Sequence, residues 1–580
     1  MNINGGDVIA EILKKQGVSH VFTLCGGHIS PILTGCRKEG ITVIDVRNEA
    51  TAVFAADAVS RITGTTGVAA VTAGPGLTNS ITALKNAQLA QSPLLLLGGA
   101  AATIIKGRGA LQDIDQISLV KPLVKYAASI RSSCDIVSII EEALTAARSG
   151  VPGPVFVECP IDLLYDEDLV RLWYGKGSAT GGKQKIIDRL LSLYLKRHVD
   201  TMYSCDLKEA RPQKVTIMPG RIDEKDIARA AKKIARARKP VLIIGSQAMI
   251  DAEAAGKLPD AVEKLGAPFY LTGMARGLMG KNHQMQLLHH RKESLREADL
   301  LILAGIAFDF RLEYGRTINP DAFVISVNRS KKDLYLNRRP DLPVQADPGM
   351  FLLSLSRHYS QKNTTKGEWL AMLKTRERER ETEILSKSLR KTEYINPLLL
   401  LKKLEDFLEN NAVIVADGGD IVATASYILR PPGPLTWLDP GVYGTLGAGA
   451  GFALGVKTSL PDAEVWIIYG DGAAGYSIQE VDTMVRHGVP VIALIGNDAS
   501  WSQIARDQIE ILRDDVATRL RHSDYHLVAR AYGAEGFLLD REEDIERVFT
   551  QARQAARKGK PVVINALIGT TDFRKGSVSM

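Results

Sequence analysis

From Val465 to Gln503 the chain reads VWIIYGDGAAGYSIQEVDTMVRHGVPVIALIGNDASWSQ, and this stretch limits the fold more than any other. Val465–Tyr469 is an apolar run short enough for a buried strand, and Gly470-Asp471-Gly472 breaks it. Ile478, Val481, Met484 and Val485 recur at helical spacing, Pro490 stops that helix, and Val491–Ile495 reads as a second buried strand. A strand, turn, helix and strand in this order make the two strands parallel, with a right-handed crossover. Asp471 and the Asn497-Asp498 pair then both fall at carboxyl ends of parallel strands, where open α/β sheets bind ligands.

The residue types at that edge suit a metal-bound diphosphate. Gly472 lets the backbone approach a ligand, and a helix starting near Ala473 points free N–H groups at a phosphate. Oxygen ligands from Asp471 and the 497–498 pair suit a hard cation such as Mg2+. A lone Gly-Asp-Gly is usually just a turn. Followed 26 residues after Asp471 by Asn497, it resembles the thiamine diphosphate motif. The resemblance implies cofactor contacts at Gly470, Asp471, Gly472, Ala473, Asn497, Asp498 and Trp501, and a metal site among Asp471, Asp498, Asn497 and Ser500. Relatives end the motif in Asn-Asn, and their second position ligates the metal. Asp498 is therefore the expected ligand and Asn497 the alternative. A second carboxylate beside a diphosphate adds negative charge that the cation must offset.

Length and composition bound the rest. The 580 residues are 45% hydrophobic and 24% charged, with 51 glycines, which fits a soluble α/β chain of about three domains. The net charge of +7 is scattered rather than gathered in Lys/Arg blocks, so no nucleic-acid partner is expected. Five cysteines without a framework suggest reduced thiols and a cytoplasmic location. The amino terminus is expected to enter a helix at Gly5–Lys15 without a signal peptide, and no apolar run is long enough to span a membrane.

Residues 1–165 alternate expected strands at Ser19–Leu24, Ile41–Val46, Val68–Thr72 and Pro93–Leu97 with helices at Ile29–Lys38, Ala50–Ile62 and Leu77–Gln91. That pattern is a doubly wound parallel sheet. Glu49 stands where a strand gives way to a helix, which by itself is only a dipole-favoured position. Arg47-Asn48-Glu49-Ala50, Ala55-Ala56-Asp57-Ala58 and Val71-Thr72-Ala73-Gly74-Pro75-Gly76 resemble the pyrimidine-binding domain of the acetolactate synthase and benzaldehyde lyase group. With the Gly470 motif, the similarity spans nearly the whole chain. It implies that Glu49 contacts the aminopyrimidine and promotes loss of the cofactor's C2 proton. It places His28, in Gly26-Gly27-His28, before the substrate, and Gln112, in GALQDIDQ, along the cofactor pocket. It also implies a homodimer or homotetramer, because the pyrimidine domain of one subunit meets the diphosphate domain of another.

Residues 166–217 read as a linker. Gly175–Ser178 and Thr180–Lys183 look flexible, and an apolar stripe of Ile186, Ile187, Leu190, Leu191 and Tyr194 follows, ringed by Lys185, Arg189, Lys196 and Arg197. Packing on a neighbouring domain or subunit is the expectation for this helix, rather than membrane contact. Residues 218–360 form a middle nucleotide-binding-like domain with expected strands at Pro240–Gly245, Leu300–Gly305 and Val324–Val327. In the family this domain carries FAD, ADP or nothing. Arg291 supports a nucleotide such as ADP, Asn328 weakens it, and Arg276 lies in a candidate loop; FAD contacts are not convincing. The charged segment 361–393 is expected to be a solvated connecting helix.

Residues 394–580 complete three doubly wound domains, the last binding diphosphate. Asp417-Gly418-Gly419-Asp420 resembles the family's second diphosphate contact, drawing in Gly419 and Asp420. Leu446 occupies the apolar position against the aminopyrimidine. In CoA-using relatives a polar tail closes over the site, so Arg574 and Lys575 are candidates to meet CoA phosphates. GGHISP, MARGL, WLDPG, GNDASW and the TDFR tail resemble acetolactate synthase-like proteins of the 2-hydroxyacyl-CoA lyase type. The resemblance implies cleavage of a 2-hydroxyacyl-CoA to an aldehyde and formyl-CoA, reversible as an acyloin-type carboligation onto an aldehyde or ketone. His28 and Gln503 would handle the hydroxyl proton. Acetolactate synthase chemistry is the nearest alternative, and a non-catalytic nucleotide-binding relative the alternative of another class. A nicotinamide oxidoreductase lacks its glycine turn with an acidic partner.

Overall fold

The computed structural model describes residues 3–175, 184–217, 220–359 and 367–575. The chain forms two compact units, residues 1–60 with 65–218 and residues 61–64 with 219–580. Runs such as Leu94–Leu97 and Val241–Ile244 are apolar at every position because these strands are covered on both faces, as parallel sheets require.

The first unit holds one six-stranded parallel sheet: β1 (His20–Thr23), β2 (Thr42–Asp45), β3 (Gly67–Val71), β4 (Leu94–Ala100), β5 (Ala127–Ser129) and β6 (Pro154–Pro160). Their order is β2-β1-β3-β4-β6-β5. Between β1 and β3 the order reverses, which opens a crevice at their carboxyl ends.

The second unit holds two such sheets. The middle one contains β7 (Pro240–Ile244), β8 (Phe269–Leu271), β9 (Gln286–Leu287), β10 (Leu300–Ala304), β11 (Phe323–Asn328) and β12 (Leu342–Gln345), in the order β12-β11-β10-β7-β8-β9. This is the doubly wound dinucleotide order read from its far edge. Its own crevice is closed by backbone: a Cβ on Gly245 would lie 2.4 Å from the Gly305 oxygen. The last sheet contains β13 (Ala412–Ala416), β14 (Trp437–Leu438), β15 (Glu464–Gly470), β16 (Ile492–Asn497), β17 (Glu535–Leu539) and β18 (Val562–Leu567). Its order, β14-β13-β15-β16-β18-β17, repeats that of the first sheet. The expectation of three doubly wound parallel-sheet α/β domains is met.

Two expectations change. Cys134 and Cys205 form a disulfide across 71 residues, so the five cysteines are not all reduced thiols; Cys25, Cys36 and Cys159 are free. The helix Gly367–Ser388 is not simply solvated, because it buries Trp369, Leu373 and Ile384. Its Glu377 is buried too, accepting the Leu288 and His289 amides at 2.9 and 3.1 Å. Residues 176–183, read as flexible, lie outside the described residues, as do the side chains of Lys185, Ile186 and Ile187.

Candidate active site

The crevice of the last sheet lies between β13 and β15, and two glycine turns close on each other there. Gly419 has φ 110°, which only glycine adopts without strain. A Cβ on it would lie 2.9 Å from Gly470 Cα, and the Gly470 amide donates to the Gly418 oxygen at 2.8 Å. Leu446 reaches over this turn, since a Cβ on Gly418 would meet its Cδ2 at 2.1 Å. Behind the turn, Asp417 accepts the Gly447 and Gly449 amides at 2.9 and 2.6 Å and so anchors the Leu446 loop to β13. Trp501 covers Gly472, whose absent Cβ would overlap the indole at 2.4 Å.

Asp471 begins the next helical turn and is buried. Its Oδ1 accepts the Gly472 amide at 2.8 Å, while Oδ2 is buried with no hydrogen-bond partner. Burial and then the Asp498 charge push its pKa up to about 7. Burial also raises the pKa of Asp498, against a bond from the Ser502 hydroxyl. An orphaned carboxylate oxygen facing a second carboxylate is what a divalent cation relieves. Asn497 is occupied elsewhere: its amide donates to the Ser523 oxygen at 3.2 Å and to Asn565 Oδ1 at 3.1 Å. Of the two candidates, Asp498 is the one not tied into the sheet. Ser500 is held by the neighbouring loop, donating to the Thr518 oxygen at 3.3 Å. Ala473 is buried in the helical turn after Asp471. Gln503 is half-buried on the helix Ser502–Leu512 that leaves this edge.

Asp420 pairs with Arg506 at 2.5 Å, with Arg574 at 4.0 Å. Arg506 Nη1 and Arg574 Nε are buried without acceptors, so two donors stand unsatisfied beside the glycine cradle. Arg574 also lies over Tyr427, 5.3 Å from the ring centre, while Lys575 is exposed. Nothing in local spacing pointed to Arg506 or to Tyr525, whose hydroxyl donates to the Asp471 carbonyl at 3.0 Å.

In the first unit the corresponding crevice brings together His28, Thr72, Glu49 and Gln112. His28 Nδ1 and Thr72 Oγ1 lie 3.2 Å apart, and burial lowers the His28 pKa. Glu49 opens the helix Glu49–Thr63, and Asn79 donates to its Oε2 at 3.0 Å. Thr72 and Asn79 were not singled out from sequence, although Thr72 lies inside a motif that was. Gly74 turns at φ 62°, and a Cβ there would lie 2.6 Å from the Gln112 oxygen. Gln112 itself takes φ 63°.

Arg276 and Arg291 line a cavity of about 430 Å3 in the second unit, together with Lys292, Arg311, Arg380 and Tyr427. Arg276 donates to the Ser426 oxygen and Arg291 to the Arg311 oxygen, both at 2.7 Å. Asn328 is not part of it: its side-chain oxygen accepts from Gln247 at 2.9 Å and from the Ser330 amide at 2.8 Å.

A glycine cradle with a carboxylate pair at a sheet switch point, and a buried glutamate beyond the carboxyl end of β2 in a sheet of the same strand order, is the arrangement of a diphosphate-cofactor enzyme. Family models for thiamine pyrophosphate enzymes match residues 3–119 (N-terminal TPP binding domain), 227–355 (central domain) and 417–566 (C-terminal TPP binding domain). The chain belongs to the thiamine pyrophosphate enzyme family. It is 48% identical over 586 residues to 2-hydroxyacyl-CoA lyase 2 of Danio rerio, covering 100% of this chain and 93% of the relative. It is 46% identical over 596 residues to 2-hydroxyacyl-CoA lyase 2 of Homo sapiens, covering 100% and 92%. Acetolactate synthase large subunit IlvG of Mycobacterium tuberculosis is 33% identical over 576 residues, covering 97% and 96%.

Proposed function

We propose that this chain is a thiamine diphosphate-dependent carbon–carbon lyase that cleaves a 2-hydroxyacyl-CoA to an aldehyde and formyl-CoA. One observation carries the choice of reaction: whole-length identity of 46–48% to 2-hydroxyacyl-CoA lyase 2 proteins, against 33% to acetolactate synthases. Bound thiamine diphosphate supplies a nucleophilic carbon and an electron sink. The residues present fit it. Asp471 and Asp498 would hold Mg2+, Gly419 and Gly470 leave room for the diphosphate, Leu446 would support the ring system, and Glu49 would hold a proton at the aminopyrimidine. His28 is neutral at neutral pH because burial lowers its pKa, so it can accept the substrate hydroxyl proton, with Gln503 hydrogen-bonding the same oxygen. As the C–C bond breaks, the hydroxyl carbon becomes the aldehyde, and one proton returns to the thioester carbon to make formyl-CoA. Protons therefore balance.

Arg574 and Lys575 offer charge to CoA phosphates, and in the cavity that Glu293, Glu313 and Glu383 also line, Arg276 and Arg291 suit a nucleotide such as ADP, the neighbouring Lys292, Arg311 and Arg380 being paired with carboxylates. A homo-oligomer is the assembly this reading expects, and it is supported by the helix Ser502–Leu512, which leaves the cofactor edge with no buried residue.

Cleavage of a panel of 2-hydroxyacyl-CoA thioesters, with Mg2+ and thiamine diphosphate, tests the reading on wild type and Glu49→Gln. Aldehyde and formyl-CoA from wild type, reduced at least about a hundredfold in the variant, are expected. Acetolactate from pyruvate, with no thioester cleaved, would overturn it.

A further inference from the structure

Among the described residues, the contacts that fasten the helix Gln184–Met202 to the first unit come from its carboxyl-terminal half. Val199 and Met202 are buried in the core of that unit. His198 Nε2 meets Thr103 Oγ1 at 2.8 Å, and Arg171 pairs with Asp200 at 2.7 Å. Just beyond, the Cys134–Cys205 disulfide and the bond from Ser133 Oγ to the Cys205 oxygen at 2.8 Å hold the chain down.

The preceding turn of the same helix faces outward. Leu190 is 63% exposed, Leu191 49%, Leu193 58% and Tyr194 53%. At 100° per residue Leu190, Leu193 and Tyr194 lie in one arc on the side away from Val199, while Leu191 lies between the directions of His198 and Met202. The face expected to pack on a neighbouring domain is thus uncovered in its described part. Arg189 and Lys196 are exposed along one edge of the arc, and Arg197 lies exposed within it. Between residues 189 and 202 the sequence has one acid, Asp200, which Arg171 already engages. The helix Glu167–Gly175 packs alongside and adds an exposed Trp173.

An exposed leucine arc needs a cover, and its charge selects the cover. A second copy meeting it across a two-fold axis would bring Arg189, Lys196 and Arg197 against their equivalents, which repel. An anionic lipid surface accepts all the parts: leucines enter the headgroup boundary, Tyr194 sits there with its hydroxyl in water, and the cations meet lipid phosphates and carboxylates. Among the described residues no helix is long and apolar enough to cross a membrane. We propose that the Leu190–Tyr194 face docks the protein peripherally on an anionic lipid bilayer.

The test is flotation of the full chain with phosphatidylcholine vesicles, with and without phosphatidylserine, at low and high salt. Two variants accompany it, Leu190→Glu/Leu193→Glu and Arg189→Glu/Lys196→Glu, each first shown to keep the wild-type melting temperature. We expect wild type to float with the phosphatidylserine vesicles, on the order of tenfold less with pure phosphatidylcholine or high salt, and neither variant to float. Failure of wild type to float, or flotation unchanged in both variants, would sink the proposal. So would a fall in solution mass of the leucine variant by light scattering, which would make a second copy the occupant.

Discussion

Asp417 shows how one buried carboxyl couples the site to pH. Both its oxygens accept backbone amides, Gly447 at 2.9 Å and Gly449 at 2.6 Å, yet burial outweighs these bonds and pushes its pKa up to about 7. A carboxyl with a folded pKa above its unfolded value binds more protons when folded. Its contribution to stability is full below the ordinary carboxylate range and is lost as pH rises to about 7. Asp471 follows the same rule without a cation, so the measurement is made with Mg2+ and thiamine diphosphate saturating. Thermal melts between about pH 5 and pH 8 should show the midpoint of wild type declining more steeply than that of Asp417→Asn. Parallel slopes would remove Asp417 from this role. The sequence reading found Asp417 only as part of a glycine-rich turn. Its partners stand 30 and 32 residues away, and a hydrogen bond of that span has no local signature. Asp471 was legible for the opposite reason, because the motif that names it is contiguous with its strand.

Among the elements, the wall that carries His28 and Gln112 depends on the last residue of GALQDIDQ, which the sequence pattern did not single out. Gln116 is buried at the start of a short helix; its oxygen accepts the Gly74 amide at 3.1 Å, and its amide donates to the Gly99 oxygen and to Glu158 Oε1, each at 3.0 Å. Lys106 closes the network on the other oxygen of Glu158. Gly99 in turn lies against His28, where a Cβ would come within 2.5 Å of the His28 Cβ. Gln116→Leu leaves a backbone amide and a buried carboxylate short of partners, a loss of about 1–3 kcal/mol. We expect a lower melting temperature and a fall in kcat larger than the change in KM, with Gln116→Glu restoring neither. An unchanged kcat in a destabilised protein would mean that the network holds the fold without positioning the site. The elements themselves were largely legible, because strands buried on both faces read as unbroken apolar runs. β9 and β14, two residues each, were not, and neither were β5, β6, β8, β12 and β17, since their pairing is decided by neighbours remote in sequence. The same holds for the disulfide, because no spacing rule joins Cys134 to Cys205 across four described helices and the strand β6.

For the whole molecule, each of the two twin sheets carries half of the proposed chemistry: Glu49 and His28 on one, Asp471 and Asp498 on the other. Identical strand order in both sheets makes their crevices equivalent surfaces, but neither crevice holds all of these groups. If the complete site forms between two copies, Glu49→Gln and Asp471→Asn act on different halves of it. A hybrid of the two variants then has one site with both defects and one site with neither. Random mixing makes about half the dimers hybrid, each with one intact site of two, so activity should recover to about a quarter of wild type from two inactive parents. Sites built within single chains would each keep one defect, and mixing would restore nothing. If such an assembly forms, the exposed Ile509, Ile511 and Leu512 at the far end of the helix Ser502–Leu512 offer it an apolar surface to cover. Placing aspartates at Ile509 and Leu512 should therefore lower the solution mass and the recovered activity together, which analytical ultracentrifugation of the same mixtures would read directly. A lower mass with undiminished recovery would remove Ile509 and Leu512 from the interface that completes the site.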